Sequence, residues 1–176
     1  MKVLISGKPR VGKTTLLFKL FNQFRDFSVG FFTKEIRENG KRVGFKIVTS
    51  YGFEGVFARK GERGSKVYAG YTIFIDVLDK VVEEIKARID KGKILFIDEI
   101  GKMEMLSSNF VEFVDEAMKS REICVVASVH RALVRRYRAL ATKFYWLTEE
   151  NRERVFEEVK LSLQSLVEAR RGGHLS

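Results

Sequence analysis

Apolar positions along the chain follow two rhythms. Short runs that are apolar almost throughout, Lys2 to Ser6, Ile94 to Asp98 and Ile123 to Ser128, alternate with longer stretches whose apolar residues recur every three or four positions. The first rhythm predicts buried strands and the second amphipathic helices. One helix carries Leu16, Leu17, Leu20, Phe21 and Phe24, and another carries Val77, Leu78, Val81, Val82, Ile85 and Ile89 before Gly92 stops it. A third runs through Phe110, Phe113, Val114 and Ala117, and a fourth spans Leu133 to Leu140. A short strand, Phe144 to Leu147, leads to a last helix with Thr148 as its expected N-cap and Val155, Val159, Leu163 and Leu166 as its buried stripe.

A different texture lies between the first two helices. Val29 to Ile36 and Arg42 to Thr49 read as strands joined at Glu38-Asn39-Gly40-Lys41, where Asn-Gly supplies the positive φ angles of a type I′ turn. Gly55 to Ala58 extends the hairpin into a meander, Gly61 to Lys66 reads as a surface loop, and Tyr71 to Ile73 is extended. Apolar strands alternating with amphipathic helices imply an α/β fold: a mostly parallel sheet with helices on both faces. An antiparallel hairpin or meander over residues 28–60 extends that sheet.

Length supports one folding unit, since 176 residues is within the usual range of a domain. Residues 1–169 are expected to form it, with 170–176 a flexible tail. Hydrophobic residues at 45%, including 15 Phe, argue against disorder. No apolar run approaches about 18 residues and no basic start precedes an apolar segment, so the expectation is a cytoplasmic protein with no membrane association, acting as a monomer. Cys124, the one cysteine, lies in an apolar run and is expected to be a buried thiol. The net charge of +10 attracts polyanions, and nucleic acid, acidic lipid and nucleotide phosphates all qualify; solvated helix faces rich in Lys, Arg and Glu account for it equally.

Chemistry enters at the first strand-to-helix junction. Gly7-Lys8-Pro9-Arg10-Val11-Gly12-Lys13-Thr14 matches G-x-x-x-x-G-K-[ST] between a predicted strand and a predicted helix, a pattern expected by chance in under about 1% of chains this long. Glycines let successive backbone N–H groups turn inward around phosphates, and the helix points its positive end at them. Lys13 adds a mobile cation for the β and γ phosphates, and the Thr14 hydroxyl offers a hard oxygen ligand to Mg²⁺. Thr15 closes the nucleotide-binding run and reads as a packing or helix-start residue.

The strand Ile94-Leu95-Phe96-Ile97-Asp98-Glu99 ends in two acids, at the edge where open parallel sheets bind ligands. Asp98 is placed to hold magnesium and Glu99 to orient or deprotonate an attacking water, so Lys13, Asp98 and Glu99 are the candidate catalytic residues. Adjacent Asp-Glu and the lack of an N-K-x-D run disfavour a GTP switch. The strand that ends Ser128-Val129-His130 is expected beside the glycine-loop strand. Ser128 then either touches the γ-phosphate or attacking water or serves as a cap, and His130 is either a site residue or a neutral surface histidine.

These residues resemble the nucleoside-triphosphatase family known from thermophiles, which includes the cancer-related nucleoside-triphosphatases. The likeness covers about residues 1 to 165 and is carried by Gly7 to Thr15, Gly30-Phe31-Phe32-Thr33-Lys34-Glu35-Ile36-Arg37 with Gly44-Phe45, Ile97 to Glu104, and Asn151-Arg152. The resemblance implies a RecA-like P-loop NTPase core, dependence on Mg²⁺, and slow hydrolysis of several NTPs to NDP and phosphate. It also marks Lys102, Glu104, Asn151 and Arg152 as candidate site residues, although residue chemistry alone makes Lys102 and Glu104 a solvated pair. Arg152 could offer a positive charge to the γ-phosphate, Asn151 and Arg152 could line a base pocket, or both could cap the helix. Arg10 stands where the family usually has glycine, which implies a stiffer loop tip or an added cation. Two other readings stay open: a nucleotide or nucleoside kinase, and an NTP-driven nucleic-acid-binding module using Arg131, Arg135, Arg136 and Arg138 around Tyr137.

Overall fold

A computed structural model describes residues 1–173 of the chain. Its sheet is built from β1 (Lys2–Gly7), β2 (Ser28–Glu38), β3 (Lys41–Thr49), β4 (Glu54–Lys60), β5 (Val67–Tyr68), β6 (Tyr71–Ile73), β7 (Ile94–Ile100), β8 (Cys124–Val129) and β9 (Lys143–Leu147). The strands lie in the order β5-β6-β4-β3-β2-β7-β8-β1-β9. Every pairing from β2 through β9 at that end is parallel, and every pairing from β2 to β5 at the other is antiparallel.

Alternation along the parallel strands divides the core into two layers. Val3 and Ile5 of β1, Phe96 of β7 and Val126 of β8 face one side, under α1 (Lys13–Gln23) and α5 (Arg152–Gly172). Leu4, Leu95, Ile97, Val125 and Ala127 face the other, under α2 (Ile75–Lys86) and α3 (Ser108–Lys119). Both faces are dry because both are covered, which is why these strands carry almost no polar residues. The thiol of Cys124 is buried, as its apolar neighbours predict.

The Asn39-Gly40 turn has φ angles of 50° and 74°, as the hairpin signal requires. The antiparallel extension runs past residue 60, because β6 pairs with β4 and the two-residue β5 pairs with β6. Four local expectations are corrected. Helix α2 ends at Lys86 rather than near Gly92, since the N–H groups of Arg88 and Ile89 both turn back to the Ile85 carbonyl. Residues 131–140 form a 3₁₀ turn, the single-turn α4 (Val134–Tyr137) and a second 3₁₀ turn, not one helix. The N-cap of α5 is Asn151 rather than Thr148. Helix α5 continues to Gly172, so the expected tail is helical over its first three residues, while 174–176 lie outside the described residues.

Candidate functional site

Loop 8–12 connects β1 to α1, and its path is set by two left-handed backbones. Gly12 precedes the helix at φ 105°, a conformation that glycine adopts at little steric cost. Arg10 holds φ 63°, which explains why glycine suits this position and why an arginine here is strained. No side chain caps α1 and its first turn carries no acid, so its leading N–H groups are free to meet an anion. The Lys13 ammonium arches back over the loop and donates to the carbonyls of Gly7 at 3.0 Å and Lys8 at 3.4 Å.

The acids stand beside this loop because β8 separates β7 from β1 by a single strand. Asp98 is 3% exposed, and its Oδ1 accepts a hydrogen bond of 2.6 Å from the Ser128 hydroxyl of β8. Ser128 is therefore a holder of Asp98, and its hydroxyl is directed at that carboxyl. Burial pushes the Asp98 carboxyl above its ordinary pKa, and Ser128, the nearby Thr14 hydroxyl and the Lys13 charge offset part of the rise. Oδ2 of Asp98 is buried with no hydrogen-bond partner.

Burial and the charge of Asp98 raise Glu99 to about 7, with Lys13 opposing. Glu104 reverses the solvated reading of its sequence position: it is 5% exposed, and burial with the charges of Glu99 and Asp98 raises it to about 8. The two glutamates converge on Gly101, where a Cβ would stand 2.4 Å from Oε2 of Glu104 and 3.1 Å from Oε1 of Glu99. Any side chain there would displace the Glu104 carboxyl. Lys102 is exposed, on the rim of the same cavity.

Glu104 has a measurable signature. An unfolded glutamate titrates near 4.5, so between that pH and about 8 the folded chain holds a proton that the unfolded chain has released. Its contribution to stability is complete below the lower value and is lost as pH rises through the upper one. Glu104→Gln is expected to flatten the fall of melting temperature across this window and to melt above the native protein on the alkaline side, Glu99 supplying what slope remains. Parallel pH profiles for the two proteins would contradict the burial of Glu104.

One cavity of about 480 Å³ takes in Gly7, Pro9, Arg10, Lys13 and Thr14 together with Asp98, Glu99, Lys102, Glu104 and His130. Burial and the charges of Lys102, Lys13 and Arg131 hold His130 below its ordinary pKa, and its Nδ1 accepts from the Ala132 amide at 3.1 Å. A second cavity of about 510 Å³ is lined by Gly12, Thr15, Leu16, Lys19, Arg152 and Phe156, among others. Arg152 reaches the loop itself, with Nη1 3.5 Å from the Val11 carbonyl. Asn151 lines neither cavity: its side chain accepts from the Thr148 amide at 2.8 Å and donates to the Trp146 carbonyl at 2.9 Å, tying the β9–α5 turn.

Sequence reasoning gave no site role to Ser6, whose hydroxyl donates to the Val129 carbonyl at 2.7 Å, or to the cavity wall formed by Thr33, Glu35, Arg42, Phe45, Phe57 and Tyr68, although Thr33, Glu35 and Phe45 lie in segments that carry the family resemblance. The available signal was Thr33 and Glu35, polar residues continuing the inward face begun by Phe31. Of the basic segment, Arg136 is paired with Asp115 at 3.1 Å and Arg138 lies over the Phe144 ring, so neither stands free.

A phosphate-binding loop at the carboxyl edge of a sheet covered on both faces, facing the buried Asp98 and the half-buried Glu99 of a nearby strand, defines a P-loop nucleotide-binding protein of the α/β class. The profile of a family described as NTPase matches residues 2–160, and the chain belongs to that family. It is 43% identical over 164 residues to the nucleoside-triphosphatase THEP1 of Methanocaldococcus jannaschii, covering 90% of this chain and 95% of that one. Against the nucleoside-triphosphatase THEP1 of Pyrococcus abyssi it is 37% identical over 179 residues, covering 95% and 94%. The crystal structure of THEP1 from Aquifex aeolicus superposes with a TM-score of 0.79 at 32% identity, over 90% of this chain and 96% of that one. The solution structure of a human cancer-related nucleoside triphosphatase gives 0.73 at 27% identity, over 93% and 97%. Among the described residues no helix is long and apolar enough to cross a membrane.

Proposed function

We propose that the chain is a magnesium-dependent nucleoside-triphosphatase that converts NTPs of several bases to NDP and phosphate. The observation that carries this reading is Asp98 Oδ2, a buried carboxylate oxygen without a partner, set beside the Thr14 hydroxyl at an uncapped helix N-terminus. An orphaned oxygen in such a place suits a hard cation. Thr14 and Asp98 would hold it, and among the described residues no group of three His, Cys, Asp or Glu could hold a metal alone, which leaves the phosphates and water to complete its shell. When bound, magnesium neutralises charge on the β and γ phosphates.

The chain's own residues do the rest. Backbone N–H groups of loop 8–12 and of the first turn of α1 bind the phosphates, and Lys13 exchanges the Gly7 and Lys8 carbonyls for phosphate oxygens. Ser128 fixes the orientation of Asp98. Glu99, with a carboxyl near 7, accepts the proton of the attacking water at neutral pH. The second cavity supports tolerance of the base, because the Phe156 ring and the Arg152 guanidinium offer stacking to any base.

Incubating the purified protein with ATP, GTP, CTP and UTP, with magnesium or with EDTA, tests the reading. Because stacking on an aromatic face differs little among bases, phosphate release is expected within about tenfold across the four. EDTA is expected to abolish it. Undiminished release in EDTA, or pyrophosphate in place of phosphate, would overturn the proposal.

A further inference from the structure

The cavity over the glycine loop extends beyond the loop and the acids. Strand β2 pairs with β7 only from Ser28 to Phe32, which stands opposite Asp98, and then continues six residues further to Glu38. That overrun, with β3 and β4, raises a wall beside the acids, and the cavity extends along it past Thr33, Glu35, Arg42, Phe45, Phe57 and Tyr68. A water molecule attacking a γ-phosphate needs none of this surface. The whole cavity, glycine loop and acids included, has a volume of about 480 Å³, within the range typical of small-molecule sites.

The wall is built for an uncharged planar guest. Phe45 stands opposite Glu35 across the β2–β3 ladder and packs on Tyr71 at 5.5 Å between ring centroids. Arg42 is already engaged: it lies 5.2 Å from the Phe45 ring centroid, donates to the Tyr71 hydroxyl at 3.0 Å and pairs with Glu35 at 3.3 Å. The Glu35 carboxyl is held below its ordinary pKa by Arg37 and Arg42, which outweigh partial burial; Arg37 lies outside the cavity lining, so along the wall itself the one cation Arg42 is matched by the one carboxylate Glu35. Thr33 lines the cavity, and its hydroxyl is buried without a partner. Aromatic surface, a balanced ion pair and one unpaired hydroxyl match a neutral ring compound that carries hydroxyl groups.

We infer that this wall is an acceptor subsite, and that the chain transfers the γ-phosphoryl group to the hydroxyl of a small, neutral, hydroxyl-bearing ring compound as well as to water. The inference rests on the proposed nucleotide site. The acceptor oxygen forms a bond to the γ-phosphorus, the bond from that phosphorus to the bridging oxygen breaks with its electron pair leaving on NDP, and Glu99 takes the hydroxyl proton. The balance is NTP and alcohol giving NDP, a phosphate monoester and one proton. Water and the alcohol compete for the same phosphoryl group, so each ester formed removes one phosphate from the hydrolytic yield.

The test uses the full-length protein with magnesium and γ-labelled ATP, adding adenosine, uridine or pyridoxine as the neutral probe and resolving labelled products by chromatography. A labelled monoester of at least one probe is expected, with an equal loss of labelled phosphate. Phe45→Ala removes the ring, and Thr33→Val removes the hydroxyl at constant shape. Both are expected to cut transfer at least about tenfold, the weight of one lost stacking or hydrogen-bond contact, while hydrolysis without a probe stays within about twofold. If Phe45→Ala fails to fold, Thr33→Val decides alone. Labelled phosphate with no ester from any probe, or transfer untouched by the variants, overturns the acceptor subsite and leaves the hydrolase standing. A native protein that releases no phosphate and forms no ester strikes the nucleotide site itself.

Discussion

Glu99→Gln is expected to bind nucleoside triphosphates as the native chain does and to lose turnover by about 10²- to 10⁴-fold, the usual worth of a positioned general base. The carboxyl stands next to Asp98 at the end of β7, and burial with the Asp98 charge lifts it to about 7, so a substantial share is ionised at neutral pH and ready to take a proton. Glutamine keeps the volume but has no basic oxygen. It also relieves the repulsion on Asp98, so affinity is expected to hold or to rise slightly. Calorimetry with a non-hydrolysable ATP analogue, together with single-turnover phosphate release, separates the two quantities. Native turnover in this variant would remove Glu99 as the base.

Lys13→Ala is expected to lose affinity and turnover together. The ammonium is the cation that already spans the loop, bound to the Gly7 and Lys8 carbonyls. Its bonds to phosphate oxygens would be charge-assisted and worth about 1.5–3 kcal/mol, so affinity should fall by roughly ten- to a hundred-fold. Charge that develops on the transferred group loses a stabilising donor as well, which should lower turnover by about 10²–10³. The alanine variant should still fold, since α1 keeps Leu16, Leu17, Leu20 and Phe21 in the core. An unaltered dissociation constant would show that the lysine does not touch nucleotide.

The sequence made the parallel core legible because both faces of its strands are buried, which leaves an almost unbroken apolar run at β1, β7 and β8. The glycine loop was legible because its spacing is a backbone requirement. Legibility failed where partners distant in sequence decide the outcome. Glu104 reads as a surface acid beside Lys102, yet the 3₁₀ turn after β7 folds it under Gly101. Thr148 is a sound cap by chemistry, but Thr148 and Asn151 bond reciprocally and the helix starts after the second of them. Strand β5 has two residues, too few to show any periodicity. The acceptor wall was hidden for a further reason: the reach of β2 beyond β7 is a property of strand register, which no single strand records.

A sheet this wide could have offered a long ribbon of free amides and carbonyls at each rim. Here the rims are β5, with two residues, and β9, with five. Little backbone is left at these two outermost strands for a neighbouring copy to zip onto, and the strongly cationic chain repels its own kind at a distance. Stunted borders thus protect a broad pleated scaffold against fibrous association, even though Val67 and Trp146 show apolar side chains there.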